Sequence, residues 1–117
     1  MAKPEDKIQS ECYRWFHNAF PQYRKLLCYN LNNPKHGRQG AIDKQMGLQK
    51  GRNDLTFYFC SVASLIEMKT PKGIQSTAQK EFEAHLKKYG FNYYIARTLK
   101  EFQILIYNLI FDGYASN

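Results

Sequence analysis

Apolar residues recur at helical spacing in three parts of the chain, and each stripe predicts a helix. The first helix is expected over about residues 5–19, because Pro21 opposes its continuation. The second is expected over residues 77–89 and the third over about residues 98–111. Each of these last two opens with the pattern of a capping box, Ser76 with Gln79 and Thr98 with Glu101.

Short apolar or alternating runs predict four strands. They cover residues 25–29, 54–59, 62–69 and 91–97. The second and third runs are close enough to form a hairpin, whereas the third and fourth flank a helix and predict a parallel pair with a right-handed crossover. Residues 30–40 are predicted to be a loop and residues 41–48 a short helix. The expected fold is therefore an α/β domain, with a mixed central sheet flanked by helices.

Composition places the chain among small globular proteins. Its 117 residues fit one domain, residues 1–117, and 44% apolar with 23% charged residues excludes wholesale disorder. No run approaches the ~18 apolar residues of a membrane span, and the polar N-terminus does not have the form of a secretory signal. Three cysteines at irregular spacing match neither a disulfide framework nor a zinc site, which favours a reducing cytoplasm.

The charge balance changes the expected partner. A net charge of +7, from 17 Lys and Arg against 10 Asp and Glu, favours a polyanion such as nucleic acid. The positive residues are spread along the chain without a basic block, so a disordered nucleic-acid-binding tail is not indicated. Charge alone fits a solvated basic surface equally well.

Three charged residues of the predicted hairpin are the strongest candidates for chemistry. Side chains alternate between the faces of a strand, so Glu67 and Lys69 point the same way. With a two-residue turn at residues 60–61, Asp54 lies directly opposite Glu67 and shares its face. A one-residue slip would destroy this arrangement. Two carboxylates and one ammonium group are therefore predicted at one end of the sheet.

Facing carboxylates repel each other unless a cation lies between them. Mg²⁺ suits this gap because it prefers oxygen ligands, keeps several waters and accepts phosphate oxygens. Lys69 would then orient the attacking water or neutralise charge on phosphorus, which indicates phosphodiester hydrolysis. The alternative is an exposed strand with scattered charges, because Glu-x-Lys alone is a common tripeptide. The residue pattern by itself leaves both interpretations open.

Longer motifs around these residues resemble a known family. They are Gly51-Arg52-Asn53-Asp54-Leu55, Ile66-Glu67-Met68-Lys69-Thr70-Pro71-Lys72-Gly73 and Ser76-Thr77-Ala78-Gln79, followed by Ile95-Ala96-Arg97. Together they are similar to the signature of the VRR-NUC nucleases, of the small stand-alone phage or bacterial type, in the PD-(D/E)XK superfamily. Asn53 departs from the pattern, because the family usually has Pro at that position.

The resemblance implies a restriction-endonuclease-like core and a role for each matching residue. Asp54 and Glu67 would be metal ligands, with the Met68 carbonyl as a backbone ligand and Glu11 as the N-terminal glutamate of the family. Lys69 would be the catalytic lysine, and Gln79 would hold Lys69 or a water in place. Without the resemblance, Gln79 reads as part of a capping box. The implied cofactor is Mg²⁺, with Mn²⁺ expected to substitute.

The resemblance also implies an activity and its partners. The expected function is a Mg²⁺-dependent DNA endonuclease, selective for branched DNA such as four-way (Holliday) junctions and located in the cytoplasm of a bacterial cell or a phage-infected host. Alternatives are a nicking or flap-directed nuclease, an RNA nuclease, or a non-catalytic DNA-binding module on a nuclease fold. A homodimer is expected, because the last helix is apolar nearly all round and two symmetric cuts need two sites.

Overall fold

The computed structural model describes residues 3–30 and 36–116 of the chain. The helices are α1 (Pro4–Ala19), α2 (Gly37–Gln45), α3 (Thr77–Lys88) and α4 (Leu99–Ala115), and a short 3₁₀ helix spans Pro21–Leu26. The strands are β1 (Leu27–Tyr29), β2 (Leu55–Phe59), β3 (Val62–Met68) and β4 (Asn92–Ala96).

The four strands form one mixed sheet in the order β1-β2-β3-β4. The pairs β1–β2 and β2–β3 are antiparallel, whereas β3 and β4 are parallel and are connected through α3. A parallel pair needs a crossover of this kind, because the chain must return to the same end of the sheet. The predicted mixed sheet flanked by helices is confirmed.

The β2–β3 hairpin has the predicted register. Phe59 pairs with Val62 and Leu55 with Ile66, so residues 60 and 61 alone make the turn. Both turn residues have positive φ, +49° at Cys60 and +67° at Ser61. Two consecutive positive φ angles characterise the type I′ turn, whose twist matches that of the flanking strands. This turn fixes which β3 side chains face which side of the sheet.

The main core lies between one face of the sheet and helices α1 and α4. Cys12 and Phe16 from α1 pack with Phe102 and Ile106 from α4 against apolar side chains of the strands. Those strand residues include Leu27, Leu55, Phe57, Phe59, Ile66, Met68 and Ala96. Because side chains alternate along β3, Glu67 points to the opposite face from Ile66 and Met68. The charged residue of β3 is therefore directed away from this core.

Several predicted boundaries were wrong. The first strand begins at Leu27, because Pro21 opens a 3₁₀ helix that occupies the preceding residues. Helix α2 begins at Gly37 and not at residue 41, so the predicted loop is shorter, and residues 31–35 of that loop lie outside the described residues. Among the helices of the described parts of the chain, none has the length and apolar character needed to span a bilayer.

The two predicted capping boxes have different outcomes. At α3, the Gln79 amide donates to Ser76 Oγ and the Gln79 side chain accepts from the Ser76 amide, which completes the box. At α4, the Glu101 amide donates to Thr98 Oγ1, but the Glu101 carboxylate accepts from the amide of Arg97 instead of Thr98. The α4 capping box is therefore only half formed, because the Glu101 carboxylate bonds to the residue before the N-cap.

Candidate active site

Glu67 and Lys69 lie side by side at the end of β3 and are almost completely buried. Glu67 is 0% exposed and Lys69 is 5% exposed. The Lys69 Nζ atom lies 3.9 Å from Glu67 Oε2, so the two side chains form an ion pair on the face predicted from the alternation. Moving a charge from water into the protein interior is costly unless the charge is paired. The pairing explains how both groups are retained in the interior.

Two donors from outside the hairpin hold the other oxygen of Glu67. The Tyr93 hydroxyl donates to Oε1 at 2.6 Å, and the Gln75 side-chain amide donates to the same oxygen at 3.0 Å. The Gln75 amide also donates to Glu83 Oε1 at 2.8 Å, which ties the turn after β3 to helix α3. Burial, together with the bond to Glu67, raises the pKa of the Tyr93 hydroxyl, so this group stays protonated and donates.

Glu83 forms the outer support of this network. Its second oxygen lies 2.5 Å from Lys87 Nζ, one turn further along α3. Burial acts to raise the pKa of Glu83, but the hydrogen bonds from Lys87 and Gln75 outweigh it and the net shift is downward. Glu83 is therefore ionised at neutral pH and accepts the Gln75 bond as a carboxylate.

Oε2 of Glu67 is the exceptional atom of the site. It is buried and accepts no hydrogen bond, and Lys69 Nζ is just within ion-pair distance. A buried carboxylate oxygen without a donor costs free energy that a bound cation would recover. The two donors at Oε1 leave Oε2 as the oxygen that a metal ion would take.

Asp54 lies at the entry to β2, one residue before the strand begins. Its Oδ2 accepts a hydrogen bond of 2.6 Å from the backbone amide of Met68, between Glu67 and Lys69. This contact fastens the Asp54 carboxylate across the end of the hairpin, at the position that the register predicted. The Met68 side chain lies in the core, and the role of its carbonyl as a metal ligand stays a prediction.

The structure places Glu5, and not Glu11, next to these groups. Glu11 is exposed, and none of its described contacts is to Asp54, Glu67 or Lys69. Glu5 Oε1 lies 4.0 Å from Lys69 Nζ. Burial raises the pKa of Glu5, and the like charges of Asp54 and Glu67 add to this rise against the opposing charge of Lys69. The acidic residue that α1 brings to the site is therefore about one and two-thirds helical turns earlier than predicted.

Gln79 lines the site but is committed to the start of α3. Its side-chain oxygen accepts a 2.8 Å hydrogen bond from the amide of Ser76, which is its capping role. No described bond joins Gln79 to Lys69, so its predicted role in holding the lysine stays a prediction.

Gly51 allows the start of α3 to lie close to the loop before β2. A Cβ at Gly51 would lie 2.3 Å from the carbonyl oxygen of Ala78, and its φ of +79° favours glycine.

A cleft of about 380 Å³ opens between α1, the loop before β2 and the start of α3. Asp54, Glu5 and Lys69 line it together with Gln79. Its remaining charged lining includes Lys3, Asp6, Lys50 and Arg52. Positive side chains around these three carboxylates are suited to a phosphate that approaches a metal ion.

The donor set fits a magnesium ion. Within residues 3–30 and 36–116, no three His, Cys, Asp or Glu side chains lie close enough together to hold an ion by themselves. Mg²⁺ does not require such a group, because one or two carboxylates, waters and substrate phosphates commonly hold it. Glu67 supplies a buried oxygen without a donor, and Asp54 and Glu5 supply further carboxylates nearby.

Glu5, Gln75 and Tyr93 were missed from the sequence, and Arg97 was noted there only as part of the family motif, without a role. Glu5 precedes the core residue Cys12 by seven positions, and this spacing of about two helical turns was the available signal. Gln75 and Tyr93 reach Glu67 from a turn and from a parallel strand, and no local pattern marks them. Arg97 donates from Nη1 to the carbonyls of Thr70 at 2.8 Å and Gly73 at 2.7 Å, so it holds the turn after β3.

Comparison with known proteins agrees with the fold. Neither a scan against protein-family models nor a search of curated proteins gives a match. A search of solved structures finds a structure described as a VRR_NUC domain protein. The two align with a TM-score of 0.72 and 20% sequence identity, over 92% of this chain and 88% of the other. The chain therefore has the α/β, restriction-endonuclease-like fold of a VRR_NUC domain.

Proposed function

We propose that this protein is a Mg²⁺-dependent DNA endonuclease that hydrolyses phosphodiester bonds at Asp54, Glu67 and Lys69. The observation that carries the proposal is Oε2 of Glu67, a buried carboxylate oxygen that accepts no hydrogen bond and lies beside a buried lysine. A domain that only binds DNA gains nothing from this arrangement, because buried carboxylates near phosphate weaken binding. The VRR_NUC fold supports the same class of activity.

Each residue has a role that follows from its position. Asp54 and Glu67 would hold the ion, with the Met68 carbonyl as a further candidate ligand, while Glu5 lies beside Lys69. When bound, Mg²⁺ supplies an activated water and neutralises charge on the phosphate. Lys69 lies next to Glu67 and is placed to orient that water or to stabilise the charge that develops on phosphorus. Tyr93 and Gln75 keep Glu67 in the orientation that presents Oε2.

The basic surface provides the affinity for DNA. Lys3, Lys50 and Arg52 line the cleft around the carboxylates, and the chain as a whole carries a net charge of +7. Contacts of this kind release counterions from the DNA, so binding is expected to weaken as salt rises. Affinity and catalysis therefore rest on separate residues, and each can be removed without the other.

Branched DNA is the proposed substrate class, with four-way junctions as its main member. The experiment incubates the protein with four-way junction, flap, nicked and linear duplex DNA, and with a single-stranded RNA. Each substrate is tested with Mg²⁺, with Mn²⁺ and with EDTA. We expect cleavage of the junction with either metal and none with EDTA. Preferred cutting of the flap or of one strand would identify a flap-directed or nicking enzyme, and preferred cutting of RNA would identify a ribonuclease.

The matched variant is Glu67→Gln, which keeps the shape of the side chain and one acceptor oxygen but removes the charge. It should abolish cleavage while it retains DNA binding, because binding rests on the basic residues. Glu67→Ala should have the same effect on cleavage, with a further loss of packing. Unchanged cleavage by Glu67→Gln, or absence of cleavage by the wild-type protein on every substrate, would refute the proposal.

A homodimer through α4 is the proposed assembly. Ile104, Tyr107, Phe111 and Tyr114 form an exposed apolar stripe along this helix, and Phe111 is 71% exposed. A second copy of the chain would cover the stripe and supply the second active site that two symmetric cuts require. Sedimentation at micromolar concentration is expected to give a dimer, and Phe111→Glu a monomer. A monomeric wild-type protein that still makes paired incisions would exclude this assembly.

A further inference from the structure

A second cleft adjoins the candidate active site, and Asp6 and Asp54 line both clefts. It has a volume of about 500 Å³ and lies between α1 and the edge of the sheet formed by β1. Its lining includes Tyr13 and Arg14 from α1, Tyr29 from β1, and Asp54 itself. A volume of this size is within the range of sites that hold small organic molecules. The two clefts therefore meet at one of the proposed metal ligands.

Two tyrosines give this cleft an aromatic character that the first cleft lacks. Tyr29 pairs with Leu55 across the β1–β2 ladder, so its side chain lies on the sheet face that α1 covers. Tyr13 lies on α1 and lines the same cleft. Tyr13 is 37% and Tyr29 58% exposed, so neither ring is buried in the core. Exposed aromatic rings in a cleft provide surfaces on which a planar ligand can stack.

Polar groups accompany the aromatic rings. Arg14 lines the cleft and carries a guanidinium group, Asp6 adds a carboxylate, and Gln9 and Ser10 add donors and acceptors from the same helix. A guanidinium plane can stack on a nucleobase or pair with a phosphate, and amide and hydroxyl groups can bond to base edges. Rings, a guanidinium and short polar groups are the combination that proteins use to hold unpaired bases.

We infer that this cleft receives an unpaired nucleobase of the DNA strand that the enzyme cuts. The inference rests on the proposed function, because it places the scissile phosphate at Asp54 and Glu67. A base is joined to its phosphate through one sugar, so a phosphate at Asp54 brings a neighbouring base to the adjoining cleft. A fully paired duplex would first have to unstack and extrude that base. Selectivity for DNA with unpaired nucleotides next to the cut follows from this cleft.

The test uses Glu67→Gln protein, which should bind without cutting, and DNA with 2-aminopurine at an unpaired position beside the expected cut. Stacking on an aromatic ring quenches the fluorescence of this base analogue, so binding should reduce its signal. Tyr29→Ala in the same background should remove the quench and weaken binding of the unpaired substrate about tenfold. The affinity of the Tyr29→Ala variant for fully paired duplex should differ from that of the parent protein by less than twofold. Tyr29→Phe should behave as the parent, because the ring is kept.

Tyr58→Ala is the matched control. Tyr58 is 46% exposed on β2, but it lies outside the cleft, and its substitution should leave both the quench and the affinity unchanged. Thermal unfolding of each variant identifies any loss of fold, and the quench in the parent protein tests the inference even if one variant does not fold. An absent quench in the parent, or equal loss of duplex and unpaired binding in Tyr29→Ala, overturns the inference.

Failure of the inference can be separated from failure of the proposed function. If the wild-type protein cleaves junctions but the base analogue is not quenched, the cleft does not hold a base and the nuclease assignment stands. If the analogue is quenched and Tyr29→Ala removes the quench, the cleft is a base site even where no substrate is cut.

Discussion

Tyr93 donates a 2.6 Å hydrogen bond to Oε1 of Glu67 from the neighbouring parallel strand. Tyr93 pairs with Leu65, two residues before Glu67, so both side chains are on the same face of the sheet. Burial and this bond raise the pKa of the tyrosine, which therefore acts as a donor at every pH in the physiological range. The relationship determines which oxygen of Glu67 remains for a metal ion.

Tyr93→Phe removes this donor and keeps the ring. We expect the Mg²⁺ concentration for half-maximal cleavage to rise about tenfold, because loss of a group that orients a metal ligand commonly costs ~10–100-fold in metal affinity or activity. DNA binding in EDTA should be unchanged. The control is Tyr94→Phe on the same strand, whose side chain points to the other face. An unaltered metal dependence in Tyr93→Phe would show that Gln75 alone is sufficient to orient Glu67.

Mg²⁺ should stabilise the folded protein through Glu67. A ligand that binds only the native state raises stability by RT ln(1 + [L]/Kd), about 2.7 kcal/mol at 100 times Kd. Titration of Mg²⁺ should raise the midpoint of thermal unfolding of the wild-type protein and leave that of Glu67→Gln unchanged. In EDTA the variant should be less stable than the wild type, because it leaves the buried Lys69 ammonium without its Glu67 partner. An equal response of both proteins to Mg²⁺ would place the ion elsewhere.

The sequence was sufficient to predict the half of the site that a local turn creates. Asp54 and Glu67 lie on one hairpin, where the period of two and a two-residue turn fix the faces of both strands. The register between the parallel strands β3 and β4 depends on the packing of α3, and no local pattern encodes it. Tyr93 was missed for that reason, and Gln75 because it is in an irregular turn.

The structure brings Glu5, and not Glu11, to Lys69 for a different reason. The family resemblance pointed to Glu11 on α1, but Cys12 and Phe16 pack into the core and set the rotation of the helix. That rotation directs Glu5 to the site, because Glu5 is about two turns before Cys12.

The error in the predicted start of α2 has a simpler origin. Two of its first four residues are glycines, whose low helix propensity indicates a loop, and the observed helix includes them nonetheless.

Arg97 should support both stability and catalysis through the turn that it holds. Arg97→Lys replaces a planar group that reaches two carbonyls by a flexible point charge, so at least one of the bonds to Thr70 and Gly73 is lost. We expect a loss of about 1–3 kcal/mol in the free energy of unfolding. Cleavage should also slow, because Gln75 follows this turn. Lys72→Ala, on the exposed surface of the same turn, is the control for stability. Chemical denaturation measures the free energy of unfolding of both variants.

The cysteines should differ sharply in their reactivity. Cys12 is fully buried, and burial, with the nearby Glu11 charge, raises the pKa of its thiol to about 12. At pH 8 the Cys12 thiol is therefore protonated and enclosed, whereas Cys28 is exposed. Mass spectrometry after brief alkylation should find Cys28 modified and Cys12 unmodified, with Cys12 reacting only in denaturant. Labelling of native Cys12 as fast as Cys28 would contradict the packing of α1 against the sheet.

The two-residue turn at Cys60 and Ser61 restricts how the length of this segment can change during evolution. One inserted residue would exchange the faces of one strand relative to the other, unless a bulge absorbed it, and Asp54 would no longer share a face with Glu67. Two inserted residues would preserve that relationship. Among active relatives of this domain, we therefore expect insertions in the turn to occur in even numbers, and odd insertions to coincide with a bulge or with loss of the carboxylate pair.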